Sequence, residues 1–172
     1  PQNLCIKPCS KYNLLFLCYH IGMEFNLDDI IKNSKKILLL SHVNPDGDTL
    51  GSMCAMYSMI YKQFKIKSDM YAVSNIPFNY KFLPNIDKVQ RYIDPSMVYD
   101  LVITLDVAAL DRTREAVGLF EKAKLTLNID HHKTNPKFGD YQIIQPEASS
   151  CGEVLANLFN SMNWEIDKDT AD

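Results

Sequence analysis

The sequence predicts an α/β fold, a mainly parallel sheet flanked by helices. Three observations predict it. Segments of strand length recur, most clearly the unbroken apolar run Ile37-Leu38-Leu39-Leu40 and the strand-like Leu125-Thr126-Leu127-Asn128-Ile129. Continuous rather than alternating hydrophobicity marks a strand buried on both faces, as in parallel sheets. Between such runs, Leu50, Met53, Cys54, Tyr57, Ile60, Tyr61 and Phe64 recur at helical spacing, the signature of an amphipathic helix. Strand-like and helix-like segments then alternate along the chain, which implies parallel strands joined by right-handed crossovers.

Taken in order, Asn26 caps a short helix with Leu27, Ile30 and Ile31 on one face. The first strand is 37–40 and the loop 41–49 follows it. The amphipathic helix fills 50–64. A second strand is expected over 66–73 and a third from Tyr99 to Leu105, ending at Asp106. Arg114 to Lys124 reads as a helix, 125–129 as a fourth strand ending at Asp130, and Tyr141 to Ile144 as a fifth. Ser150-Cys151-Gly152-Glu153 has capping-box form and opens a helix to about Met162. Asp167 caps a last helix with Asp169 and Asp172 in its first turn. Five residues do not make a stable helix alone, so the chain is expected to end inside a larger protein. The first methionine is Met23, and residues 1–22 are expected to be a leader of doubtful relevance, with the domain at 23–172.

The chain has 172 residues, enough for one domain with a real core. A net charge of −3 gives no basic field for long duplex nucleic acid. No apolar run approaches the roughly 20 residues of a membrane span. The five cysteines, Cys5, Cys9, Cys18, Cys54 and Cys151, are odd in number and scattered. They suit a reducing cytoplasm rather than a disulfide framework. Cys5 and Cys9 find no matching second pair for zinc.

The chemistry lies in two clusters that hold three of the four histidines. One is Ser41-His42-Val43-Asn44-Pro45-Asp46-Gly47-Asp48-Thr49-Leu50-Gly51-Ser52, and the other is Asp130-His131-His132. Ligands of open parallel sheets bind beyond the carboxyl ends of strands. His42, Asp46, Asp48, Asp106, His131 and His132 all follow a predicted strand, so they can converge. Alone, Asp106 reads as a turn or helix cap, and His131-His132 as a polar loop. Three strand ends delivering the same residue types outweigh those readings. Imidazole and carboxylate without thiolate suit Mn²⁺, with Mg²⁺ a poorer fit. Asp46 and Asp48 can address two ions, and Asp106 could bridge them. Asp130 is placed to fix the tautomer of a neighbouring imidazole. Ser52 is expected to open the helix, whose free N–H groups suit a phosphate.

These segments resemble the DHH phosphoesterase superfamily. The His42–Ser52 loop is similar to its first motif and Leu105-Asp106-Val107 to its second. Asp130-His131-His132 is the triplet that names it, and Ala148–Glu153 resembles a further signature segment. The likeness covers about residues 24–172 and is greatest to the branch that hydrolyses very short RNA and 3′-phosphoadenosine 5′-phosphate (pAp). It implies a three-layer DHH domain, truncated before a second, smaller domain. It implies that His42 and Asp46 hold one Mn²⁺ and Asp48 and His131 the other, with Asp106 bridging both. His132 would contact the scissile phosphate, Asp130 would support it, and Arg112 would touch phosphate. A further metal-binding aspartate and the second domain's glycine-rich motif would lie beyond residue 172, leaving this chain weak or inactive alone. A homodimer is compatible with the resemblance.

Three rivals accompany this reading. A family II pyrophosphatase or polyphosphatase would share fold and metals, but Gly47 and Gly51-Ser52 favour the first branch. A cyclic-dinucleotide phosphodiesterase is a further relative. A non-catalytic metal-binding fragment is the rival from another class.

Overall fold

The computed structural model describes residues 25–171. The expected leader, with Cys5, Cys9, Cys18 and His20, lies outside them. Helix α1 (Leu27–Lys32) leads into β1 (Ile37–Leu40), α2 (Gly47–Phe64) and β2 (Asp69–Tyr71). A segment with two short 3₁₀ turns then reaches β3 (Val89–Gln90). Strand β4 (Leu101–Leu105), α3 (Val117–Glu121), β5 (Leu125–Asp130), β6 (Tyr141–Ile144), α4 (Cys151–Ser161) and α5 (Lys168–Ala171) complete the order.

All six strands are parallel, in the order β3-β2-β1-β4-β5-β6. The chain first steps outward from β1 to β3, then returns to β4 on the other side of β1. The order therefore reverses between β1 and β4, where strand-end loops part and leave a crevice for a ligand. Leu40 pairs with Thr104, and Leu105 with Ile129. His42, Asp106 and Asp130 thus emerge side by side at one sheet edge.

The apolar strands are covered on both faces, as their unbroken hydrophobicity requires. Ile37 and Leu39 of β1 join the larger core with Leu50, Met53 and Met56 of α2 and Val154, Leu155 and Leu158 of α4. Leu38 and Leu40 point the other way, onto Tyr99, Leu119 and Phe120. The result is the expected three-layer α/β fold. Met53, Met56 and Met59, one face of α2, are all core packing.

Several expected elements differ. Strand β2 is shorter than 66–73, and β3 is a two-residue strand too short to show periodicity. The helix expected over 114–124 is broken. Residues Leu110–Ala116 form a tight 3₁₀ segment, Arg114 adopts a non-helical backbone at φ 51°, and only Val117–Glu121 is α-helical. Contacts outside the segment override its helical pattern. The Arg112 carbonyl accepts from Val43 N–H, and Glu115 accepts from the Tyr71 hydroxyl. At the other end, Asp167 caps α5 as expected, accepting from the N–H and hydroxyl of Thr170.

Asp100 ties the start of the sheet together. Its carboxylate accepts from the N–H groups of Lys35 and Lys36 and from the Lys124 ammonium, at 2.9, 3.0 and 2.8 Å. Lys124 first, then the backbone donors, hold its pKa down at about 2. A carboxyl depressed on folding stabilises the protein above its unfolded pKa of about 4, and loses that effect as pH falls toward the folded value. Asp100→Asn is expected to cost about 1 kcal/mol near neutral pH, discounted for the solvent around this surface group. Urea titrations should show the difference shrinking between about pH 5 and about pH 2. A deficit independent of pH would refute the linkage.

Candidate metal centre

Each cluster residue is held by backbone before any ligand is considered. Asp46 caps α2 and accepts from the N–H and hydroxyl of Thr49, at 3.1 and 3.2 Å. Burial pushes its carboxyl up, but these Thr49 donors win and hold it below its ordinary range. The helix therefore begins at Gly47 rather than Ser52. Ser52 lies in the second turn, buried, and its hydroxyl faces Asp48 at 3.5 Å. The phosphate-binding start expected at Ser52 is not where this helix opens.

Asp48 crosses to the start of α4. Its two oxygens accept from the N–H groups of Cys151 and Gly152, at 2.8 and 2.9 Å. The first-turn donors of α4 thus fix a carboxylate. Ser150 caps that helix, accepting from Glu153 N–H at 3.0 Å. Glu153 reaches back one residue beyond the expected capping box, to the N–H and hydroxyl of Ser149.

Asp106 sits at the centre. It is nearly inaccessible, at 2% exposure, and adopts the left-handed backbone at φ 58°. That conformation is strained for most residues and tolerated best by Asn and Asp. Its Oδ2 accepts from the Thr49 hydroxyl at 2.7 Å and lies 3.6 Å from His42 Nε2. Its Oδ1 is buried with no hydrogen-bond partner. His131 Nε2 and His132 Nδ1 each stand 3.6 Å from it, beyond hydrogen-bonding reach.

Two of the imidazoles aim Nε2 inward because a backbone carbonyl holds Nδ1. His42 Nδ1 faces the Val43 carbonyl at 2.7 Å, and His131 Nδ1 faces the Ala148 carbonyl at 3.2 Å. A carbonyl only accepts, so Nδ1 carries the hydrogen and Nε2 keeps its lone pair. Burial pulls the His42 pKa down, but Asp106 and the Val43 carbonyl outweigh it and raise the value. His131 Nε2 stands 3.7 Å from Asp48 Oδ2, nearly equidistant between Asp48 and Asp106. His132 differs. Its Nδ1 donates to Asp130 Oδ1 at 2.7 Å, and Asn135 Nδ2 donates to Asp130 Oδ2 at 2.6 Å. Arg112 lines the His42 side, with Nη2 3.4 Å from His42 Nδ1.

Two groups of ligand atoms close enough to hold a cation result, both containing Asp106. One is His42, Asp46 and Asp106, and the other is Asp106, His131 and His132; Asp48, expected beside His131, is in neither group and comes within 3.7 Å of His131 Nε2. The donor set tests well against a pair of divalent cations. An orphaned, buried carboxylate oxygen is costly unless something positive binds it. Asp46, Asp48, Asp106 and Asp130 also concentrate four carboxylates that cations would neutralise. The described cysteines, Cys54 and Cys151, are buried free thiols. Burial pushes Cys54 up to about 12 and Cys151 well above its usual range, so neither offers a thiolate.

The loop residues singled out by sequence converge here. Thr49 and Asn135 did not stand out. The Thr49 hydroxyl lies within reach of His42 Nε2 at 2.6 Å as well as of Asp46 and Asp106, with one hydrogen to share among them. Its only sequence signal was its place inside the first cluster. Asn135 also donates to Asn128 Oδ1 and faces the Val107 carbonyl, and in sequence it looks like an ordinary loop asparagine.

Residues 36–172 match the DHH family, N-terminal domain, and the chain belongs to that family. Among curated relatives, the bifunctional oligoribonuclease and PAP phosphatase NrnA of Thermus thermophilus is 31% identical over 131 residues, 75% of this chain and 38% of that protein. The protein of the same name from Bacillus subtilis is 27% identical over 139 residues, 79% of this chain and 42% of its own length. The chain thus spans about four tenths of these relatives. A solved structure of an exopolyphosphatase-related protein from Bacteroides fragilis superimposes with a TM-score of 0.77 at 24% identity. It covers 96% of this chain and 48% of that one, and shows the shared fold. No helix among the described residues is long and apolar enough to cross a membrane.

Proposed function

We propose that this chain carries the catalytic centre of a metal-dependent phosphoesterase that hydrolyses short RNA oligonucleotides, pAp, or both. One observation carries the reading: the buried Asp106 carboxylate, with one oxygen lacking a hydrogen-bond partner, is shared by two His/Asp groups. The names of the curated relatives supply the substrate class.

His42, Asp46 and Asp106 would hold one divalent cation. Asp48, His131 and Asp106 would hold the other. Mn²⁺ suits this mixture of imidazole and carboxylate, with Mg²⁺ the alternative. Such a pair supplies an acidified water at neutral pH and stabilises charge on the entering and leaving oxygens at phosphorus. The protein does the rest. Backbone carbonyls set the His42 and His131 tautomers, and the α4 N-terminus orients Asp48. His132, partly exposed and backed by Asp130 at Nδ1, would turn Nε2–H toward the substrate's departing oxygen and give it a proton. Arg112 offers a cation to a phosphoryl oxygen. A reducing cytoplasm, a further aspartate ligand shortly past residue 172 and a second domain after that belong to the same proposal.

The test is hydrolysis by the Mn²⁺-loaded chain, and by a form extended to the relatives' length, of pAp, a dinucleotide and pyrophosphate in separate assays. Cleavage of pAp or the dinucleotide is expected, faster in the extended form. Cleavage of pyrophosphate alone would move the protein to the pyrophosphatase reading. Mn²⁺ binding without hydrolysis by either form would leave a non-catalytic metal-binding protein.

A further inference from the structure

The segment between β2 and β3 carries apolar surface that the core does not use. Phe78 is 80% exposed and Phe82 is 73% exposed. Single exposed rings are ordinary, but two on one short turn make a local apolar surface. The segment is nonetheless anchored. Leu83 and Ile86 are buried, Tyr80 packs against the main core, and successive backbone bonds run from Tyr80 N–H to Pro77 and from Leu83 N–H to Tyr80. The rings are therefore presented by a fixed turn.

That turn touches the loop of the proposed metal ligands at two points. Asn44 N–H donates to the Ser74 hydroxyl at 3.0 Å. The Tyr80 ring lies where a side chain on Gly47 would be, 3.0 Å from the position of a Cβ. Gly47 stands between Asp46 and Asp48, so Tyr80 packs directly on the ligand loop. Phe78 and Phe82 lie two residues to either side of Tyr80. Lys81 places its ammonium 4.8 Å from the Phe78 ring centre.

We infer that Phe78 and Phe82, with Lys81, form a base-stacking rim that selects nucleotide over inorganic phosphate substrates. The inference rests on the phosphoesterase reading and names the part of the substrate recognised. A nucleobase has an apolar face that gains from aromatic stacking, and the ammonium attracts the adjoining backbone charge. Pyrophosphate or polyphosphate has no such face. The position beside the ligand loop, and a cation already over one ring, favour a nucleotide over a second copy of this chain as the occupant.

The test compares the Mn²⁺-loaded wild type with a Phe78→Ala/Phe82→Ala double variant and with Phe78→Tyr. Both positions are exposed, so the fold should survive, and circular dichroism verifies it. Fluorescence titration with a dinucleotide carrying a fluorescent base should show affinity falling about tenfold or more in the double variant. Phe78→Tyr should retain it, and pyrophosphate binding measured by calorimetry should not change. Unchanged dinucleotide affinity in the double variant overturns the rim alone. Equal losses for dinucleotide and pyrophosphate overturn it as well, because the metal loop would then be the part disturbed. A wild-type dimer in sedimentation that the double variant loses would assign the rings to a second copy instead. A wild type that binds pyrophosphate and no dinucleotide overturns the functional reading and the rim together.

Discussion

Asp106→Asn should lower hydrolysis by about three orders of magnitude or more, the scale expected when charge stabilisation at phosphorus is lost, while the protein stays folded. The two halves of that expectation come from different features of one residue. Asp106 is held at φ 58°, where Asn is tolerated as well as Asp, so the backbone keeps its course. The Asn side chain also retains one oxygen, which can still accept from the Thr49 hydroxyl where Oδ2 now lies. Its amide then occupies the place of Oδ1, the oxygen without a partner in this structure. An NH₂ group there cannot ligate a cation, and it would face His131 and His132 at the distance Oδ1 now has. Calorimetric titration with Mn²⁺ should show both binding events weakened, because both groups share this carboxylate. Unaltered Mn²⁺ stoichiometry and affinity would refute the bridging role. A large drop in thermal stability would instead mean that the variant had been disturbed before any metal was involved.

The contrast between Asp106 and its surroundings shows what was legible from sequence. Strands β1 and β4 could be read because burial on both faces favours nearly unbroken apolar runs, and β5 from its alternating Leu125, Leu127 and Ile129, and a polar residue at the end of such a strand has to emerge at a sheet edge. Convergence of His42, Asp106 and His131 followed from that rule alone. Three features were not legible. Val89-Gln90 is too short for any period, so β3 could not be seen. The break at Arg114 comes from bonds to Val43 and Tyr71, which lie far away in sequence. The three-way role of Thr49 depends on distances across the site, and no spacing encodes those. Asp48 lies between these cases: its type and position marked it as a ligand, but its anchor is the start of α4, about a hundred residues later.

Asp130→Asn should have the second largest effect, by a route that leaves the metal ligands in place. Asn135 fixes the logic. Its carboxamide oxygen accepts from Lys137 N–H at 2.8 Å, so its NH₂ group is the part that faces Asp130 Oδ2, Asn128 Oδ1 and the Val107 carbonyl. An asparagine at position 130 must then offer its own oxygen to Asn135. Its NH₂ group is left facing His132 Nδ1, where Asp130 Oδ1 now accepts a hydrogen. The imidazole has to exchange tautomers, with Nδ1 accepting and Nε2 carrying the hydrogen. In the proposed reaction His132 gives a proton from Nε2 to the departing oxygen, which requires a hydrogen on both ring nitrogens; the Asp130 carboxylate supports that form by accepting from Nδ1–H, and an NH₂ group facing Nδ1 opposes it. A fall in kcat of about 10²-fold or more is expected, the range seen when a buried carboxylate stops holding a catalytic imidazole in its tautomer. KM for the nucleotide and Mn²⁺ affinity should change little. Nitrogen-15 chemical shifts of His132 give the deciding readout, since the two tautomers are distinct by NMR. A variant with the wild-type tautomer and unchanged kcat would remove Asp130 from the chemistry and leave it as a structural anchor for the loop around Asn135.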